Sequence, residues 1–222
     1  MKAVIFDFNG TLFWDTEKNF QSWHEYSKAI RGYPLTDEET VKLNGRSNRV
    51  TLEYLKGRPI TDQEFDDLSE GKETIYRKLC KDDKDNFHLA PGVIDVLNFL
   101  KEKCIPIGIA SMAGKGNMDF YIENFNLLNW FDRNNIVYDD GKMPGKPDPT
   151  IYLEAAKRIG VDPKDIVVVE DSGHGIEAAK NAGMGMIISL GKEKELDELK
   201  AKYGVAYNIS DFTEFKRDVF SI

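Results

Sequence analysis

Residues 4–12 read VIFDFNGTL, an apolar run that ends in a carboxylate and is followed by a glycine turn. A run this short and this apolar is typical of a parallel strand with both faces buried. In open α/β sheets, ligands bind at the carboxyl ends of the strands. A lone aspartate at a strand end is more often structural, but the later segments of the chain make Asp7 the first candidate for catalysis.

Two further apolar runs also end in polar residues. Residues 105–110 read IPIGIA and are followed by Ser111, whereas residues 166–169 read IVVV and are followed by Glu170 and Asp171. Between them, residues 145–149 read GKPDP and carry Lys146. Because parallel strands end at one edge of a sheet, we expect all of these side chains to converge on Asp7.

This set of residues can supply what phosphoryl transfer requires. The Asp7 carboxylate can attack phosphorus, as in aspartyl-phosphate enzymes. The Lys146 ammonium, the Ser111 hydroxyl and the backbone amides that follow it, beginning at Met112, can bind the phosphoryl oxygens. Taken singly, most loop lysines are solvated and most strand-end serines form turns, so the prediction depends on their order.

The adjacent acids Glu170 and Asp171 predict a metal site. Like charges this close are unfavourable unless a cation balances them, and Mg²⁺ binds through a few carboxylates, with Asp7 as a third. The alternative is that the two acids begin a helix, where the helix dipole favours negative charge. Both interpretations can hold together.

The order and spacing of these segments, with the linking Pro91-Gly92, resemble the four motifs of the haloacid dehalogenase-like hydrolase superfamily. The similar branch contains β-phosphoglucomutase and small-molecule phosphatases with a helical cap. The resemblance implies an α/β fold with a Rossmann-like parallel-sheet core and an inserted α-helical cap, and Mg²⁺ as cofactor. The implied residues are Asp7, Asn9, Ser111 and Lys146 for catalysis and Asp7, Asn9, Glu170 and Asp171 for the metal.

One position departs seriously from the family's motif Asp-x-Asp-Gly-Thr, because Asn9 replaces the second aspartate. An amide cannot serve as a general acid or base at neutral pH, and such catalysis typically contributes ~10²–10⁴-fold. The backbone carbonyl that the family gives to the metal survives the change. Three explanations of Asn9 remain open: an engineered substitution, a natural protein of low activity, or a natural active protein in which another residue supplies the acid. His174 is the first candidate for such a residue.

The segment after the first strand is helical in pattern. Phe20, Trp23, Tyr26 and Ile30 recur at helical spacing, and a capping-box pattern at Thr61 begins another helix. We predict a cap at residues 15–84 and a catalytic core at residues 1–14 and 85–222. Three apolar residues are expected on the inner face of the second long helix: Leu68, Ile75 and Leu79.

The most polar stretch of the predicted cap, residues 44–49 with sequence NGRSNR, is similar to the substrate loop of this branch. Arg46 or Arg49 can make a forked contact with a distal phosphate or carboxylate. Exposed arginines that flank a helix start are an equally good interpretation. The positions of the mutase's cap histidine and loop arginine are here Asn19 and Asn48, which favours a phosphatase over a mutase.

Composition limits the classes of partner. The 222 residues include 30 basic and 38 acidic side chains, a net charge of −8 that disfavours nucleic acid and anionic membranes. Two cysteines without a pairing pattern predict reduced thiols and a cytoplasmic location. No stretch is long enough to span a bilayer. The charged run at 192–202 is interpreted as a solvated helix face.

We therefore expect a Mg²⁺-dependent hydrolase that releases phosphate from a small phosphorylated metabolite, such as a sugar phosphate, through a phospho-Asp7 intermediate. We expect a monomer or weak homodimer, with no nucleic-acid or membrane partner. The alternatives are a phosphomutase and a catalytically weak protein that binds a phosphorylated ligand. A dehalogenase is disfavoured because that chemistry needs no divalent metal, which would leave the Glu170-Asp171 pair without a function.

Overall fold

The strands form one parallel sheet in a computed structural model that describes residues 1–43, 46–191 and 201–220. In this part of the chain the strands are β1 (Ala3–Phe6), β2 (Ile107–Gly114), β3 (Ile136–Asp139), β4 (Ile166–Glu170), β5 (Met186–Leu190) and β6 (Tyr207–Ile209). Their order across the sheet is β3-β2-β1-β4-β5-β6, and every neighbouring pair is parallel. This is the predicted α/β fold.

Five of the described α-helices lie between β1 and β2, of which the first four form one group, and the others follow later in the chain. The first group is α1 (Thr16–Arg31), α2 (Asp37–Leu43), α3 (Asn48–Lys56) and α4 (Asp62–Asp82). The second group is α5 (Val93–Glu102), α6 (Lys115–Asn124), α7 (Thr150–Ile159) and α8 (Gly173–Asn181). No helix of the described ranges is long and apolar enough to cross a membrane.

Both faces of the central strands are covered by helices. Val4 and Phe6 of β1 pack into the same cluster as apolar residues of α5 and α6. Ala3 and Ile5, which alternate with them, pack with α7 and α8 on the opposite face. Because successive strand residues point to opposite faces, two buried faces require the continuous apolar runs seen in the sequence.

The strand order places a crevice at the end of β1. The chain continues from β1 to β2 on one side, whereas β4 pairs with β1 on the other. Such a switch in direction separates the loops beyond the carboxyl ends of the strands and leaves room for a ligand. Asp7 follows β1 directly at this point.

The segment from α1 to α4 has an apolar cluster of its own. Its buried members are Trp23, Leu35, Leu43, Leu52, Leu55 and Ile60. The predicted capping box is confirmed: the Thr61 hydroxyl accepts from the Glu64 amide, and the Glu64 carboxylate accepts from the Thr61 amide. The predicted boundaries of a cap at 15–84 remain a prediction, as does the charged run at 192–202, most of which lies outside the described residues.

The predicted inner face of α4 was partly wrong. Leu68, Ile75 and Leu79 are all half-buried, and of the three only Leu68 packs against the helical cluster. The buried residues are instead Lys72, Glu73, Tyr76 and Cys80. Helical periodicity predicts apolar residues on a buried face, whereas this face borders a polar cavity and therefore includes charged groups.

We predict that Gly92→Ala is more destabilising than Gly160→Ala. Both glycines have a left-handed φ, +79° and +76°, where a side chain costs about 1–2 kcal/mol. A Cβ at Gly92 would lie 2.5 Å from the Thr213 backbone nitrogen, whereas none of the described atoms lies within 4 Å at Gly160. We expect an additional loss of about 1–3 kcal/mol for Gly92→Ala in urea unfolding. Equal losses would contradict the close packing at Gly92.

Candidate active site

A polar cavity lies between the strand ends and the helices that follow β1. Its lining from the strand ends and their loops includes Asp7, Asn9, Ser111, Met112, Lys146 and Asp171. Its lining from the helical segment includes Asn19, Arg46, Asn48, Lys72, Glu73 and Tyr76. The structure therefore brings most of the sequence-predicted site residues together.

A buried lysine joins two of the predicted acids. Lys146 Nζ donates to Asp7 Oδ1 at 2.7 Å, to Glu170 Oε1 and to the Ala110 carbonyl oxygen at 3.3 Å. Burial alone would lower the pKa of Lys146, but Asp7 and Glu170 outweigh it and raise that pKa. Lys146 is thus a permanent cation that fixes the Asp7 carboxylate.

Both carboxylate oxygens of Glu170 accept hydrogen bonds, and Glu170 does not line the cavity. The Tyr152 hydroxyl donates to its Oε1 at 2.9 Å, and the amide and hydroxyl of Ser172 donate to its Oε2 at 3.0 and 3.1 Å. A Cβ at Gly175 would lie 1.7 Å from Oε1, so only glycine fits beneath this carboxylate. Glu170 is placed to neutralise and position Lys146.

Three carboxylates converge at this edge of the sheet. One oxygen each of Asp7, Glu170 and Asp171 lie within 4.8 Å of one another. Burial raises the pKa of Asp7 and of Asp171, and the charge of Glu170 raises both further. The single positive charge of Lys146 does not balance the three negative charges that these acids carry when ionised. An all-oxygen donor set with this charge suits a hard divalent cation such as Mg²⁺.

Asn9 is enclosed by a network of hydrogen bonds. Its Nδ2 donates to Asp15 Oδ2 at 2.7 Å and to the Tyr121 hydroxyl at 2.8 Å. Its Oδ1 accepts from the Ser111 hydroxyl at 3.2 Å. Asp15 Oδ1 also accepts from the Gly10 amide at 2.9 Å. The side chain at position 9 is thus used as a donor on one side and as an acceptor on the other.

Residues 1–183 match a family model described as haloacid dehalogenase-like hydrolase. This chain belongs to the haloacid dehalogenase-like hydrolases. The family assignment confirms the resemblance inferred from the motifs. The hydrolase fold is also seen in a solved structure titled HAD hydrolase, family IA, variant 3, from Entamoeba histolytica, with 37% identity and a TM-score of 0.87. That match covers 98% of this chain and 96% of the other.

Two curated relatives of this hydrolase have named activities. A phosphorylated carbohydrates phosphatase of Thermotoga maritima is 32% identical over 210 residues, which cover 90% of this chain and 92% of the relative. A β-phosphoglucomutase of Bacillus subtilis is 32% identical over 193 residues, covering 83% and 81%. Each match covers more than four-fifths of both proteins.

The structure separates the two arginines of the predicted substrate loop. Arg46 lines the cavity of this hydrolase. Arg49 does not: it donates to the Ile60 carbonyl oxygen at 3.2 Å and to Asp62 at 2.8 Å, and it stacks over the Phe65 ring. The sequence proposed Arg46 or Arg49 for substrate contact without choosing between them, because it does not show which way a helix face points. Residues 44 and 45 of this loop lie outside the described residues.

Sequence reasoning missed the partners of Asn9. The Tyr76 hydroxyl donates to Asp15, and the Tyr121 hydroxyl donates to Tyr76 at 2.8 Å. Burial raises the pKa of Asp15, and burial also raises the pKa of both phenols well above the ordinary value. Asp15 follows the Asp-x-Asn motif closely enough to have been suspected, whereas the tyrosines are distant in sequence. His174, the proton donor suggested by sequence, does not line this cavity.

We predict that Asn9→Asp destabilises this hydrolase increasingly as pH rises from about 4 to 8. The new carboxylate would face Asp15, so the pair would hold a proton to a higher pH when folded than when unfolded. A carboxyl group with a raised folded-state pKa favours folding only while protonated. The loss is about 1.4 kcal/mol for each unit of pKa elevation, and urea unfolding with EDTA at several pH values measures it.

The matched control is the double variant Asn9→Asp/Asp15→Asn, which restores a single carboxyl group to the pair. We expect its loss of stability to depend much less on pH than that of Asn9→Asp. A pH-independent loss in the single variant would show that the two side chains do not share this contact.

Proposed function

We propose that this hydrolase is a Mg²⁺-dependent phosphatase of small phosphorylated metabolites that works through a phospho-Asp7 intermediate. The observation that carries the proposal is the buried Asp7 carboxylate, held by Lys146 on the floor of a cavity and close to two further acids. The activity named for the Thermotoga maritima relative, on phosphorylated carbohydrates, supports the substrate class.

The proposed reaction has two steps. An oxygen of Asp7 forms a bond to phosphorus while the bond from phosphorus to the leaving oxygen breaks. The leaving oxygen takes a proton from water, because the Asn9 amide cannot serve as an acid. Water then attacks the phosphorus of the acyl phosphate, releases inorganic phosphate and restores the carboxylate. Lys146 and Ser111, with the backbone beyond Ser111, bind the phosphoryl oxygens in both steps.

The residues present fit a Mg²⁺ ion. Asp7 and Asp171 line the cavity and would hold the ion with the backbone carbonyl of Asn9, while Glu170 would act through Lys146. When bound, the ion neutralises phosphoryl charge and orients the phosphate. A Thr11 hydroxyl donates to Asp171 Oδ1 at 3.2 Å and orients that ligand.

The helical segment supplies the specificity of the proposed enzyme. Residues 15–84 would act as a cap that excludes water and contacts the part of the substrate away from Asp7. Arg46, Asn19 and Asn48 are the cap residues at the cavity that can read such a group. A cytoplasmic location and a monomeric or weakly dimeric state remain predictions.

A phosphomutase is the second candidate, favoured by the identity with the Bacillus subtilis enzyme. In a mutase the phosphoryl group passes from Asp7 to a sugar hydroxyl instead of water. Hydrolysis is preferred because Asn19 and Asn48 stand where the family resemblance predicts the mutase's histidine and arginine. Asn19 Oδ1 instead accepts from Lys72, and Asn48 donates to Glu73.

We predict that Asp171→Ala weakens Mg²⁺ binding at least about tenfold, because a cavity-facing oxygen ligand is lost. Isothermal titration of the metal measures this without turnover. Asp66→Ala, at an exposed aspartate of α4, is the control and should leave the affinity unchanged. If Asp171→Ala binds Mg²⁺ like the unmodified protein, the metal assignment is wrong.

We predict opposite effects for the two loop arginines. Arg46→Ala should raise KM severalfold with little change in stability, because Arg46 faces the cavity. Arg49→Ala should lower stability by about 1 kcal/mol through its lost contacts with Phe65 and Asp62 and leave KM unchanged. Steady-state kinetics and urea unfolding distinguish them. A larger KM effect for Arg49→Ala would reverse the assignment.

The central test is turnover with and without a carboxyl group at position 9. We predict that Asn9→Asp raises Mg²⁺-dependent phosphate release by ~10²-fold or more across a panel of sugar and polyol phosphates, as expected for positioned acid–base catalysis. The product from glucose 1-phosphate with its bisphosphate should be free phosphate. Rapid isomer formation without phosphate release would favour the mutase.

Intact-mass analysis is the necessary control, because Asn9-Gly10 is prone to deamidation and a trace of aspartate would imitate native activity. A fast unmodified chain would mean that another residue supplies the proton. If both proteins are equally slow on every phosphate, the binding role replaces the phosphatase.

A further inference from the structure

A buried ion pair forms part of the helical side of the cavity. Lys72 and Glu73 of α4 are 2% and 8% exposed, and Lys72 Nζ lies 3.2 and 3.3 Å from the two Glu73 oxygens. Nζ also donates to Asn19 Oδ1 at 2.7 Å and lies 5.0 Å from the ring centres of Trp23 and Tyr76. The ammonium is therefore fixed in place and neutralised.

The Glu73 carboxylate is occupied by further donors. Asn48 Nδ2 donates to Oε1 at 2.6 Å, and Asn117 Nδ2 of α6 donates to Oε2 at 2.5 Å. Because a carboxylate only accepts, these amide nitrogens must point to it. Glu73 is thus saturated and has no free oxygen for a cationic ligand.

The same contacts set what the asparagines offer to a ligand. With Nδ2 directed to Glu73, Asn48 presents its Oδ1 as an acceptor. With Oδ1 directed to Lys72, Asn19 presents its Nδ2 as a donor. Acceptors and donors together match hydroxyl groups, whereas a phosphate dianion requires donors alone.

The charge of the cavity points the same way. Its described lining has carboxylates at Asp7, Asp15, Glu73 and Asp171 and cations at Arg46, Lys72 and Lys146. Glu170, which pairs with Lys146 behind the lining, adds a fifth carboxylate, so with the proposed Mg²⁺ the charges of the site sum to zero. One phosphate dianion would make the enclosed site negative, and a second would double that charge, which is far less favourable.

We propose that Glu73 is a specificity-determining residue that restricts the site to monophosphates whose remaining part is hydroxylated and uncharged, as in a sugar or polyol. The inference rests on the proposed phosphatase function and names its substrate class. Glu73 acts by cancelling the charge of Lys72 and by turning the amide of Asn48, so that the helical side of the cavity does not bind a second phosphate.

The test measures binding in an Asp7→Asn background, where the ligands are not consumed. Dissociation constants for glucose 6-phosphate and glucose 1,6-bisphosphate are determined by calorimetry with Mg²⁺. Adding Glu73→Gln removes the charge while keeping the shape. We expect the ratio of the two constants to shift at least about tenfold in favour of the bisphosphate. An unchanged ratio would overturn the proposal.

The double change Lys72→Gln/Glu73→Gln separates charge from structure. It keeps this side of the cavity neutral, so the parental preference for the monophosphate should return. An equal shift in the single and double variants would mean that Glu73 only maintains structure. If Glu73→Gln does not fold, the Lys72→Gln variant provides the test. The unpaired charge of Glu73 should then weaken binding of the bisphosphate about tenfold more than binding of the monophosphate. An unchanged ratio of the two dissociation constants would refute the proposal.

Failure of the phosphatase proposal would look different. In that case the unmodified protein releases no phosphate from any monophosphate with Mg²⁺, whatever the binding ratios are. Phosphate release combined with tighter binding of the bisphosphate in the Asp7→Asn background would refute only the role of Glu73.

Discussion

The ion pairs of Lys146 with Asp7 and Glu170 are the constraint on which the site depends. All three side chains are buried at the carboxyl edge of the sheet. Removing one partner of a buried pair leaves an uncompensated charge, which is strongly destabilising. The same contacts that make the fold sensitive to loss of one partner also fix the position of the Asp7 carboxylate. Gly175, which leaves room for Glu170, is part of the same arrangement.

The sequence allowed the core of this site to be predicted because its residues follow apolar strands directly. Asp7 directly follows β1 and Glu170 ends β4, while Ser111 lies where the regular register of β2 ends. A parallel sheet brings such positions together without further information. The three apolar runs quoted from the sequence coincide with β1, β2 and β4, although β2 continues beyond Ser111 to Gly114 across an irregular register. Here local pattern and global topology agree, as expected for a foldable sequence.

The helical side of the cavity could not be predicted in the same way. Lys72 and Glu73 are consecutive residues of a helix, and their charge alone suggests a solvent-exposed position. They are buried because α4 packs against α6 and the cavity rather than against solvent, with Asn117 as the contact from the core. Long-range contacts of this kind leave no periodic signal in the sequence. The orientation of Arg49 was unpredictable for the same reason.

The partners of Asn9 bear on why this chain departs from its family. An amide satisfies Asp15 and Tyr121 through Nδ2 and Ser111 through Oδ1, whereas an ionised carboxylate would offer no donor to Asp15. Asp15 is therefore complementary to asparagine at position 9 and opposed to an ionised aspartate there. This complementarity supports Asn9 and Asp15 as a matched pair. A carboxyl group is therefore still present in this part of the site. It belongs to Asp15, which is hydrogen-bonded to the residue at the position where the family has its second aspartate.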